Sequence, residues 1–111
     1  PEKIPYAINR YAREAERHWG IIDAQLAKGR YMLGGRYTLI DMSVWGWATR
    51  LGFAVGDHWA GMFPHVKRHL DEISARPAAQ RATALKDAFA FKMEVDDEAR
   101  RILFPQNAYL A

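Results

Sequence analysis

Residues 37–48, Tyr37-Thr38-Leu39-Ile40-Asp41-Met42-Ser43-Val44-Trp45-Gly46-Trp47-Ala48, carry a complete helix-start signal followed by an unusually apolar run. Thr38 suits the N-cap, where its hydroxyl accepts one of the backbone N–H groups that a first turn leaves unpaired. Asp41, three residues on, can reach back to the N–H of Thr38, making a capping box with Asp where Glu or Gln is commoner. Its carboxylate also lies at the positive end of the helix dipole. Tyr37 at N′ and Met42 at N4 are spaced for a hydrophobic staple. Met42, Val44, Trp45, Trp47, Ala48 and Leu51 are too rich in apolar surface for an outer helix and predict a central, buried one over about 38 to 51. Thr38 and Asp41 are thereby assigned a structural capping role and no catalytic one.

On the N-terminal side, Ile8, Tyr11, Ala15, Trp19, Ile22 and Leu26 recur at steps of three and four, the stripe of an amphipathic helix over 5 to 28. Pro5 fits its first turn and Gly29 its C′ position. Arg10, Arg13, Glu14, Glu16, Arg17 and Asp23 make the polar face. Gly20 interrupts the helix at a cost of about 1 kcal/mol relative to Ala, which predicts close approach by another helix. Residues 30 to 36 form a short connection in which Gly34-Gly35 permits positive φ and Tyr31, Met32 and Leu33 are expected to pack inward.

On the C-terminal side, 56 to 63 reads as an irregular loop, and Pro64 opens a third helix with Val66, Leu70 and Ile73 as its apolar face. Arg76-Pro77 ends it, because the residue before proline disfavours the α region, and Pro77 starts a short helix to about Leu85. Residues 86 to 111 are expected to drape over the helices through Phe89, Phe91, Phe104 and Tyr109, with one helical stretch at 96 to 103. No strand signal or repeat is present, so the class is all-α: one long helix, a buried N-capped central helix, two shorter helices and an irregular tail.

The 111 residues suffice for one small domain with a single core. Half of them are hydrophobic, and the absence of cysteine removes disulfides, thiolate metal ligands and a cysteine nucleophile. No apolar run approaches the roughly 20 residues needed to span a bilayer, and the N-terminus lacks a signal-peptide core, so the expected setting is cytoplasmic, with no membrane partner. The net charge of +3 is interspersed. Lys67-Arg68-His69, for instance, is followed at once by Asp71-Glu72, which argues against nucleic-acid binding. His65 and His69 have the i, i+4 spacing of a metal pair but lack the His-Glu-x-x-His pattern, and no metal is expected.

The order of Tyr31-Met32-Leu33-Gly34-Gly35, Tyr37 to Asp41, Phe63-Pro64 and Ala75-Arg76-Pro77-Ala78 resembles the C-terminal all-α domain of cytosolic glutathione transferases. Ile4-Pro5-Tyr6-Ala7-Ile8-Asn9-Arg10-Tyr11 is similar to the bacterial nu-class branch with glutathione-dependent disulfide reductase activity. Two positions depart from the family pattern: Ile40, where Ala is common and which demands more core room, and Gly46, where Pro is frequent. The resemblance implies a homodimeric enzyme that uses glutathione as substrate to reduce disulfides or conjugate small electrophiles. It further implies that a thioredoxin-like domain and the first helix of the all-α domain lie outside these residues, so the isolated chain is not expected to catalyse. Arg10 is the implied glutathione-binding residue, its guanidinium suited to bidentate pairing with a carboxylate. Tyr6, one turn earlier, is the second candidate. Trp45 and Trp47 are candidates for the apolar wall, although a spacing of two on a helix points them about 200° apart. The alternative is a non-enzymatic all-α adaptor domain that mediates protein assembly.

Overall fold

Pro5 opens α1 (Pro5–Leu26) at a position where its missing N–H costs no hydrogen bond. The structure, a computed structural model, describes residues 3–89, 92 and 94–106. After α1 come α2 (Leu39–Ala48), α3 (Leu51–Val55), α4 (Trp59–Met62), α5 (Pro64–Ser74), α6 (Pro77–Ala88) and α7 (Asp97–Leu103). No strand forms among the described residues, where β pairing is confined to isolated bridges joining Tyr31 to Gly34 and Leu33 to Arg36. The all-α class expected from the pattern is the observed one. The chain divides into two units, Pro1–Gln80 and Arg81–Ala111, with the boundary inside α6.

In the first unit α5 is the organising element, packing on α1, α2 and α4. It turns Val66, His69 and Ile73 inward at spacings of three and four. Leu26, Ala48, Leu51, Phe63 and Val66 form the buried cluster, with Trp19, Ile22, Met32, Val55, Trp59 and Leu70 packed around it. Burying each Leu, Val or Phe here contributes roughly 1.5–3 kcal/mol.

Several expectations are corrected. The buried central helix is buried on one side: Asp41, Val44 and Ala48 face inward, whereas Leu39, Ile40, Met42 and Trp47 are exposed. A helix apolar all round finds a partner here along a single face, and Ile40 needs no extra core room. The helix also stops at Ala48. The Thr49 hydroxyl donates to the Gly46 carbonyl at 2.7 Å, and the Arg50 N–H turns back to the Trp47 carbonyl, tightening the last turn before α3 begins. Gly56, at φ 101°, ends α3 in a conformation that L side chains rarely adopt, and the loop beyond it contains the one-turn α4.

The stripe of α1 is buried only at its C-terminal end, because α3 and α5 pack there; Ile8 and Tyr11 are exposed. A Cβ at Gly20 would meet nothing within 4 Å, so no helix approaches it among the described residues. Gly29 is not a left-handed C′ residue; its lack of a side chain is required because a Cβ would stand 2.9 Å from the Gly34 Cα. Gly34 supplies the positive φ, 83°, of the 31–34 turn. Tyr31 packs inward there, Met32 partly so, and Leu33 at the tip faces solvent.

In the second unit α7 begins one residue after the expected start, with Asp96 as N-cap accepting the Ala99 N–H at 2.9 Å. Phe89 and Phe104, expected as anchors, are exposed, and no described residue of this unit is buried. So short a segment encloses no core of its own. Phe91 and Tyr109 lie outside the described residues.

Candidate functional site

Thr38, in extended conformation, and Asp41 form the capping box. The Thr38 N–H donates to Asp41 Oδ2 at 2.8 Å and its hydroxyl donates to the same oxygen at 3.1 Å. Asp41 does more than close its own helix. Oδ1 accepts the Met32 N–H at 2.9 Å and faces His69 Nε2 at 3.0 Å. One wholly buried carboxylate thus ties the 31–36 connection, α2 and α5 together. A carboxylate only accepts, so the facing His69 nitrogen carries the proton and donates it. His69 is fully buried, and its Nδ1 has no hydrogen-bond partner among the described residues. Burial alone raises the Asp41 pKa, but the hydrogen bonds from Met32, His69 and Thr38 outweigh it and hold the carboxyl below its ordinary value. Tyr37, expected to staple onto Met42, packs its ring edge-on to Tyr31 at 5.6 Å, under the Arg76 guanidinium at 4.0 Å, while Met42 stays exposed.

Two charged residues that the sequence places among the surface charges, Asp23 and Arg68, act as positioning residues. Asp23 Oδ1 accepts both the His65 and Val66 N–H groups at 2.8 Å, capping α5 from another helix, whose own N-cap Phe63 offers no side-chain bond. The local signal was an acid next to Ile22, inside the last turns of the apolar stripe. Arg68 donates to the carbonyls of Leu26, Gly29 and Arg30, closing the C-terminal end of α1. Its neighbour Glu72 accepts from Arg30 Nε at 2.7 Å. Such contacts, about forty residues apart in sequence, carry no local signature.

Arg10 and Tyr6 stand one turn apart on the same side of α1, both exposed, Tyr6 at 78%. The simplest partner for Arg10, Glu14, is engaged elsewhere: both its oxygens accept from Arg17, at 2.7 and 3.0 Å, and it lies 3.5 Å from His18. Among the described residues Arg10 has no ion-pair partner, whereas Arg13 is paired with Glu16. The two tryptophans diverge. Trp45 is half-buried and donates Nε1–H to Ser74 Oγ at 3.0 Å. Trp47 is 71% exposed and, with Met42, Ser43, Gly46 and Arg50, lines a shallow groove of about 410 Å³ on the outer side of α2. Chemically, the arrangement offers an exposed guanidinium, with no ion-pair partner among the described residues, to an anion, and a separate apolar groove.

Residues 5–72 match the family model described as glutathione S-transferase, C-terminal domain. Curated relatives include the disulfide-bond oxidoreductases YghU and YfcG of Escherichia coli. YghU is 38% identical over 88 residues, covering 73% of this chain and 30% of that protein. YfcG is 31% identical over 87 residues, covering 74% and 37%. The glutathione S-transferase-like protein tpcF of Aspergillus fumigatus is 30% identical over 99 residues, covering 75% and 42%. The chain thus spans about a third of the length of these relatives. The matched stretch takes in the exposed Arg10 and Tyr6, the Thr38–Asp41 box and the helix that His69 docks upon it. This chain belongs to the glutathione S-transferase C-terminal domain family.

Proposed function

We propose that this chain is the all-α part of a homodimeric, cytoplasmic enzyme that uses glutathione to reduce disulfides or conjugate small electrophiles. In this reading Arg10 pairs with a glutathione carboxylate and Tyr6 lines the same cleft. The reacting sulfur is activated by a thioredoxin-like domain outside these residues. Trp45 or Trp47 contributes apolar wall, Trp47 through its exposed groove and Trp45 through a half-buried ring whose Nε1–H is held by Ser74. No metal or nucleic acid takes part. The observation that carries the reading is the exposed Arg10, without an ion-pair partner among the described residues and beside a Glu14 already engaged by Arg17, inside the family-matched stretch. The names of YghU and YfcG as disulfide-bond oxidoreductases support disulfide chemistry.

The test is calorimetric titration of the complete protein with glutathione. A charge-assisted hydrogen bond contributes about 1.5–3 kcal/mol, so Arg10→Ala is expected to raise Kd roughly tenfold or more. Arg13→Ala, which removes a guanidinium already paired with Glu16, is expected to leave Kd unchanged. An unaltered Kd for Arg10→Ala removes Arg10 from the site, and a folded complete protein with no glutathione affinity returns the adaptor reading.

A further inference from the structure

We draw no further inference here: the strongest candidate, the exposed apolar outer face of α2 around Met42, Gly46 and Trp47 with its shallow groove, carries nothing because nothing in the structure shows what covers it.

Discussion

Asp41 accepts hydrogen bonds from Met32, from His69 and twice from Thr38, and no part of it reaches solvent. These bonds hold its carboxyl below the ordinary value, so the folded state binds fewer protons than the unfolded one in acid. The stability it contributes is complete above an unfolded Asp pKa of about 3.9 and is lost as pH falls through the folded value. Thermal unfolding from pH 7 to 3 should show the midpoint falling at the acid end, and Asp41→Asn should be less stable at pH 7 with a flatter acid limb. Equal steepness in both proteins would remove Asp41 as the source. Thr38→Ala should cost about 0.5–2 kcal/mol in denaturant unfolding. The capping partnership of these two residues was legible because it lies within one turn. The bonds from Met32 and His69 were not, since they join residues 9 and 28 positions away.

Helix boundaries follow the same division. Pro5, Pro64, Pro77 and Asp96 mark starts through local backbone chemistry, and the helices begin at or beside them. The break after Ala48 came from a Thr49 hydroxyl turned onto the Gly46 carbonyl, a choice that apolar periodicity does not reveal. The glycines separate in a way that can be measured. Gly46→Ala places a Cβ in open space within a helix and should stabilise the chain by up to about 1 kcal/mol. Gly29→Ala drives a Cβ against the Gly34 backbone and should destabilise it by roughly 1–3 kcal/mol. Chemical denaturation of both variants checks the pair of signs. For α5, Asp23→Ala removes the acceptor of two N–H groups; faster hydrogen exchange at the His65 and Val66 amides is expected, with a global loss of about 0.5–2 kcal/mol. Unchanged exchange at those amides would remove the cross-helix cap.

At the scale of the whole molecule, the first unit encloses a core around α5 yet leaves large apolar side chains outside it, with Trp47 71% and Phe53 89% exposed. Exposed apolar surface of this kind is open to apolar probes in water. The chain is therefore expected to enhance the fluorescence of an anilinonaphthalene sulfonate dye. Trp47→Ser combined with Phe53→Ser should weaken that enhancement without altering the helical circular dichroism. Unchanged dye fluorescence would place the accessible apolar surface elsewhere. The glutathione-binding reading stands apart from this, resting on Arg10 and tested by its Kd.

Taken by themselves, the residues determined the all-α class, the order of the main helices and the capping box, because caps, proline starts and three-to-four spacing act within a turn of chain. They also set out the Tyr6–Arg10 pair on one helix side. Tertiary structure alone decided which half of the α1 stripe is covered, which side of α2 faces the core and that His69 is a buried partner of Asp41. Those outcomes depend on which helix α5 packs against, and burial and long-range hydrogen bonding are properties of that packing, not of spacing along the chain.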